Sequence, residues 1–347
     1  MTMTQLRTLT DRLLDEQTPS YRLRPEVMEL AGLLVAAQTH RPAAGLTIAD
    51  GETRTPNGLA LSPTMAAMCI EGHVRTIEFL RGTHAAISQV RVWHPNRPVR
   101  VLYAGCGPYA LLALPLMAVF TPSEAMFTMI DIHPDSIASA RSIVETLRLA
   151  DSVAAFETCN AASFAIGSDE PPDVVLTEMM QAALEAEPQV AVTRHLIRQA
   201  PRALLVPEEI RVDLMFVDPA SEFGVPDPSG AHPKARHRVP LGTVFTLNRK
   251  TALSWTDIRG PCLPAASISA PPDIGPGFEP MLYTAIDVFG QHRLGYYSDG
   301  LTTPKRLGVA EAIRQGDLLE FHYRLGPHPG LAVQITRAAD AATRGQR

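Results

Sequence analysis

The chain has 347 residues, of which 46% are hydrophobic and 19% charged, with a formal net charge of −5. That length admits two domains or one enlarged domain, and the charge balance excludes a nucleic-acid footprint or a membrane-seeking basic face. Cys69, Cys106, Cys159 and Cys262 are scattered without a CxxC pair, which excludes a disulfide framework or a zinc ribbon and fits reduced thiols.

The opening stretch MTMTQLRTLTDRLLDEQ carries charges where a secretory signal needs its apolar core. No apolar run reaches the roughly 20 residues of a membrane span, so a cytoplasmic protein without a membrane partner is expected. Residues 1–96 predict a mainly helical segment that acts as a lid. Within it EVMELAGLLVAAQ is an amphipathic helix, a Gly/Pro-rich break covers Gly51 to Gly58, and a second helical run starts in LSPTMAAMCIEGHVRTIEFLRGTHAAI. Ser62 suits the N-cap of that run and Pro63 its first helical position. Met65, Met68, Cys69, Val74, Ile77 and Leu80 then recur at helical spacing. PNRP at 95–98 reads as a linker.

From Val99 strands alternate with helices, and strands are predicted at 99–104, 126–131, 153–158, 173–177 and 203–206. Alternation of this kind predicts an α/β domain, here 97–206, with a parallel sheet covered on both faces. Beyond Pro207 short β-rich runs (IRVDLMFV, GTVFTLN, PMLYTAIDVF, LLEFHYRL, LAVQIT) are divided by Pro/Gly-rich turns, with an irregular section near 219–242. Residues 207–347 are therefore expected to form a mostly antiparallel β domain.

The chemistry concentrates where VLYAGCGPYALLALPLMAVF turns from the first strand toward a helix. Gly105 and Gly107 let a ligand approach the backbone at the carboxyl edge of the sheet. A dinucleotide turn wants a third glycine, and Tyr109 stands in that neighbourhood instead, so a nucleoside without phosphates fits better. Asp131 ends the second strand, where a carboxylate can accept two hydrogen bonds from a ribose diol. Asn160 follows the third strand, where a short amide can read an adenine edge, and Glu178 follows the fourth.

VLYAGCGP, MIDIHPDSIASAR, ETCNAASF and DVVLTEMM, in this order and spacing, resemble the class I S-adenosylmethionine-dependent methyltransferases over about residues 97–206. The resemblance implies a Rossmann-like core with S-adenosylmethionine as cofactor or substrate, and the spread-out histidines give no metal set. It places Gly105 and Gly107 at the methionine and ribose, Asp131 at the ribose hydroxyls and Asn160 at the adenine. Cys106, Pro108, Ile132 and Ala161 complete that binding set. TEMMQAALEAEP sets Glu178 and Glu187 nine apart, as in the double-glutamate loop of protein arginine methyltransferases, and LTTPKRL with GDLLEFHYRLGPHPGL resembles their β-barrel sequence. Their Thr-His-Trp loop is absent and the glycine turn differs, so the architecture carries over better than the substrate.

GCGPYALLALPL is locally similar to nicotianamine synthases, which use the aminocarboxypropyl arm of S-adenosylmethionine, and the whole chain resembles bacterial cyclases that form azetidine-2-carboxylate. The resemblance implies ring closure with loss of methylthioadenosine. In that reading Tyr109 faces the sulfonium and Glu178 orients or deprotonates the amine. Arg75 and Arg81 clamp the arm's carboxylate, and Glu187, Tyr296 and Tyr297 line the substrate pocket. Each has an ordinary alternative: first-turn packing for Tyr109, helix capping for the acids, surface or interdomain pairing for the arginines, strand packing for the tyrosines. His73 and His84 are candidate proton relays, against the commoner case that lone histidines at helical spacing carry no chemistry. The expected partner is a small molecule, methyl transfer to a small or guanidinium-like acceptor is the alternative, and a homodimer stays open.

Overall fold

The computed structural model describes residues 3–39, 51–167, 171–224, 235–272, 274–309 and 313–338. Two helices come first, α1 (Met3–Leu14) and α2 (Arg24–Ala37), and Leu6, Leu9 and Leu13 bury one face of α1. The Gly51–Gly58 break folds as a small hairpin, β1 (Thr53–Thr55) against β2 (Gly58–Ala60). Ser62 caps α3 (Pro63–Met68) by accepting from the Met65 N–H at 3.1 Å. The helical run then breaks at Gly72 before α4 (His73–Trp93). A Cβ at Gly72 would stand 2.7 Å from Asp299 Oδ2 and 3.0 Å from Arg75 Nη2, so two charged side chains pass where any other residue would put a methyl group.

The central sheet contains β3 (Val99–Ala104), β4 (Ala125–Asp131), β5 (Val153–Thr158), β6 (Val174–Thr177) and β7 (Leu204–Val206). All pairs are parallel and the spatial order is β5-β4-β3-β6-β7. β3 and β6 are almost wholly buried apolar runs, as interior parallel strands must be. The connecting helices are α5 (Leu114–Val119), α6 (Pro134–Thr146) and α7 (Gln189–Gln199). Strand order reverses at β3, and such a switch point opens a crevice at the carboxyl edge. The helix after the glycine turn starts later than the apolar run predicts. Residues 108–113 form turns, Ala110 has φ 41°, and α5 begins only at Leu114 with Pro115 in its first turn. Proline is suited to a helix start, where its missing N–H is not needed.

The C-terminal β region contains β8 (Glu209–Val217), β9 (Arg238–Asn248), β10 (Cys262–Ser269), β11 (Glu279–Phe289), β12 (His292–Leu294), β13 (Lys305–Arg306), β14 (Leu318–Arg324) and β15 (Gly330–Thr336). One antiparallel sheet runs β12-β11-β8-β9 with β13 on β11, and a second runs β10-β14-β15. β10 is not evident in CLPAASIS, whose proline and small residues have weak strand preference. Pairing with β14 imposes it, with a register shift between Pro264 and Ser267. The irregular section near 219–242 holds a short helix at Pro219–Glu222, and β9 already starts at Arg238; its residues 225–234 lie outside the described residues. One apolar core runs from Leu6 in α1 through the parallel sheet to Tyr323 in β14. Among the described residues no helix is long and apolar enough to cross a membrane.

Glu222 is a buried carboxylate in the β region, held by Nε and Nη2 of Arg238 at 2.9 and 2.7 Å and by the Tyr297 hydroxyl. Burial works against its charge, but the hydrogen bonds from Arg238 and Tyr297 prevail and hold it at about 2. A carboxyl whose folded value lies below its ordinary 4.5 stabilises the fold above that pH and loses the contribution as pH falls toward 2. Acid titration of thermal stability is expected to show a loss of roughly 2–3 kcal/mol over that window, absent from Glu222→Gln.

Candidate active site

The glycine turn is strapped to the neighbouring strand: the N–H groups of Gly105 and Cys106 both donate to the Ile130 carbonyl, at 2.9 and 3.0 Å. Gly105 has φ +75° and Gly107 +63°, left-handed values that glycine adopts without strain. A Cβ at Gly105 would come 2.4 Å from Met179 Cγ, so Met179 closes tightly over the bend. Ser139 donates to the Pro108 carbonyl at 2.7 Å and fixes the turn to α6. Asp131 accepts from the Gly107 N–H at 2.9 Å through one oxygen and from the His133 N–H at 2.9 Å through the other. Its carboxylate is thereby aimed, with lone pairs left on both oxygens. His133 sits 3.5 Å from Asp131 Oδ1, and this partner raises its pKa against the opposing effect of burial.

A cavity of about 330 Å³ opens over this edge. Gly105, Cys106, Gly107, Pro108, Tyr109, Asp131, Ile132, Asn160 and Ala161 line it, together with Arg75, Glu178 and Glu187. Asn160 Oδ1 accepts from the Ala162 N–H at 2.9 Å, which turns the chain and fixes the amide at the cavity. Tyr109 is half-buried, in an irregular turn and not in a helix, and burial raises its pKa. The roof is made by Thr55, Leu59, Met65 and Cys69 of the N-terminal segment. It is seated by the Leu59 N–H on the Ala186 carbonyl at 2.8 Å and by Thr53 against His133 at 3.1 Å. His133, Met179, Thr76 and these roof residues were missed in the sequence. His133 had a signal, standing two places after Asp131, and so did Met179, next to Glu178.

Three expected residues are elsewhere. Arg81 is buried with its guanidinium on the carbonyls of Leu13, Asp15 and Thr18, at 2.9, 2.6 and 2.8 Å, where it anchors the end of α1 to α4. Tyr296 donates to Asp213 at 2.6 Å, Tyr297 donates to Glu222, and both pack on Tyr283 in the β region. His84 stacks on Phe120, and His73 is not among the cavity residues.

The acids differ in environment. Glu178 lies 3.6 Å from Arg75 Nη1, while Arg75 also approaches Asp299 at 4.0 Å and donates to the Cys69 carbonyl at 2.5 Å. Burial raises the Glu178 carboxyl and Arg75 opposes that rise. Glu187, 6% exposed, is pushed up to about 8, first by burial and then by the charge of Glu178. Burial also pushes the Cys69 thiol up to about 11, with Arg75 opposing. The loop carrying Glu187 is strained: Ala183, Leu184 and Ala186 all have φ near +60°. The β region holds it there. Thr284 accepts from the Ala183 N–H at 2.8 Å, the Pro329 carbonyl accepts from the Ala186 N–H at 3.0 Å, and Tyr323 donates to the Leu184 carbonyl at 2.8 Å. Among the described residues no group of three or more His, Cys, Asp or Glu is placed to hold a metal.

No protein-family model matches the chain, and no curated protein matches it. Among solved structures, the chain is similar to the Trypanosoma brucei PRMT1 enzyme–prozyme heterotetrameric complex with AdoHcy, at 14% identity and TM-score 0.44, over 76% of this chain and 93% of that one. It is also similar to Arabidopsis thaliana protein arginine methyltransferase 10, crystallised in an open conformation, at 14% identity and TM-score 0.42, over 71% and 84%.

Proposed function

We propose that the chain takes S-adenosylmethionine as substrate and closes its aminocarboxypropyl arm to azetidine-2-carboxylate, releasing 5′-methylthioadenosine. The observation that supports S-adenosylmethionine as the ligand is the order of groups along the sheet edge, which ring closure and methyl transfer share; ring closure is favoured by the Gly107-Pro108-Tyr109 turn lining the same cavity. Asn160, Asp131, the Gly105–Gly107 bend and Glu178 follow β5, β4, β3 and β6, which are consecutive neighbours. Three strand spacings of about 4.8 Å make about 14 Å, and adenine, ribose, sulfonium and amino acid of an extended nucleoside succeed one another in that order. Asp131 receives the ribose hydroxyls and Arg75 the arm's carboxylate.

Glu178 accepts the proton of the α-ammonium. The neutral amine then attacks Cγ: a C–N bond forms, the C–S bond breaks, and its electron pair stays on sulfur as a neutral thioether. One proton leaves per turnover. The cavity folds the arm for in-line attack against ring strain, and Tyr109 offers its face to the cation until sulfur becomes neutral. At about 330 Å³ the site lies within the range of ligand pockets. The β1–β2 hairpin and α3 act as the lid that excludes water.

Methyl transfer to a small acceptor is the second reading, favoured by two carboxyl groups on one cavity. A guanidinium acceptor suits it less, because Glu178 is already paired with Arg75 and Glu187 keeps its proton up to about 8. Purified protein incubated with S-adenosylmethionine alone is expected to give methylthioadenosine and a cyclic C4 imino acid by mass spectrometry. S-adenosylhomocysteine formed only with an added acceptor would replace cyclisation by methyl transfer. Tyr109→Leu is expected to weaken S-adenosylmethionine binding by up to about 30-fold, the worth of a desolvated cation–π contact of about 2 kcal/mol, with methylthioadenosine binding unchanged. Equal losses for both ligands would make Tyr109 a packing residue.

A further inference from the structure

Asp299 comes from the β region, in the turn after β12, and meets Arg75 at the start of α4. Its Oδ1 stands 4.0 Å from Arg75 Nε, and the two side chains are 9% and 12% exposed. Arg75 and Leu301 line the cavity, whereas Asp299 lies behind Arg75 and does not. The approach needs Gly72. That residue has φ −72° and ψ 68°, an inverse γ-turn open to any residue, so its backbone does not call for glycine. Space does: a Cβ there would stand 2.7 Å from Asp299 Oδ2, and 3.0 and 3.2 Å from Arg75 Nη2 and Nε. Asp299 is fixed by its own turn, donating its N–H to Thr302 Oγ1 and accepting the Leu301 N–H on Oδ1, both at 3.1 Å.

Each guanidinium nitrogen of Arg75 has a neighbour. Nε faces Asp299, Nη2 donates to the Cys69 carbonyl at 2.5 Å, and Nη1 faces Glu178 at 3.6 Å. At 3.6 Å Nη1 makes no hydrogen bond, so its hydrogens and the second one on Nη2 are open to a ligand carboxylate. A buried guanidinium between two carboxylates is drawn both ways, and without the charge of Asp299 it would close on Glu178. We infer that Asp299 is a positioning residue: it holds Arg75 off Glu178, so that the guanidinium meets the carboxylate of the bound amino-acid arm and the base stays free. This rests on the S-adenosylmethionine reading. The β region thereby takes part in ligand selection without touching the ligand.

The test is calorimetric binding of S-adenosylmethionine, S-adenosylhomocysteine and methylthioadenosine to the parent protein, Asp299→Asn and Gly72→Ala. Asparagine keeps the shape of the side chain and its cap on the turn, and loses only the charge. Both variants are expected to bind the two amino-acid-bearing ligands about tenfold more weakly, the worth of a hydrogen bond to a charged group. Methylthioadenosine has no carboxylate, so its affinity is expected to stay within about twofold of the parent. That ligand also reports whether each variant is folded, and Asp299→Asn decides if Gly72→Ala is not. A loss confined to S-adenosylmethionine would mean that Asp299 only attracts the cation, because S-adenosylhomocysteine carries no sulfonium charge. That result, parental binding by Asp299→Asn, or an equal loss for all three ligands would overturn the assignment while leaving the substrate reading intact. Failure of the parent protein to bind S-adenosylmethionine would overturn both.

Discussion

Glu178→Gln is expected to slow methylthioadenosine release by roughly 10²- to 10⁴-fold, the usual contribution of a positioned general base, with substrate affinity changed only a few-fold. Glutamine keeps the shape of the side chain and an oxygen toward the Met180 N–H, which hydrogen-bonds Glu178 in the parent. It cannot take a proton. Arg75 keeps Asp299 at 4.0 Å and the Cys69 carbonyl as partners, so the guanidinium is not stranded. Single-turnover kinetics with equilibrium binding separate the two effects. A parental rate would mean that the amine loses its proton to solvent, and a parallel loss of affinity would mean that Glu178 holds the substrate without acting as base.

Glu187→Gln is expected to stabilise the protein by on the order of 3 kcal/mol at pH 8. Glu187 holds its proton to about 8 in the fold, against an ordinary value of 4.5. The folded chain therefore binds that proton more tightly than the unfolded chain. The resulting stability is fully present below pH 4.5 and is lost as pH rises through about 8. Glutamine reproduces the neutral acid at every pH, so the two proteins converge in urea titrations near pH 4.5 and diverge toward pH 8. A gap independent of pH would show that Glu187 is ordinary in the fold. Keeping an acid that destabilises the protein near neutrality, on a loop with three left-handed non-glycine residues, marks a position kept for the site at the expense of the fold.

The parallel sheet was legible because its strands are nearly continuous apolar runs closed by turn residues. All five predicted windows agree with the structure to within one residue at the amino end. Periodicity could not show β1 and β2, which are three residues each and lie in a Gly/Pro-rich stretch. It likewise could not show where α5 begins, because the run after Tyr109 is apolar at every position and has no face. Tyr296 and Tyr297 were expected at the pocket, yet they sit on Asp213 and Glu222. Two adjacent aromatics point to opposite faces in a strand but not in a turn, and Tyr297 has φ 64°. Arg75 and Arg81 are six apart on α4 and similar in sequence context, but one lines the cavity and the other holds three carbonyls at the end of α1.

By itself the sequence determined the alternation of strands and helices, the glycine bend after the first strand, and the polar residues that end the next three strands. These are local properties: burial pattern, backbone freedom and position relative to a strand end. Tertiary structure alone decided which acid keeps its proton, which arginine faces the cavity, what roofs it, and that the β region clamps the Glu187 loop. Those depend on desolvation and on contacts between segments far apart in the chain, as between Arg81 and Leu13 or Ala183 and Thr284, and no local pattern in the chain encodes them.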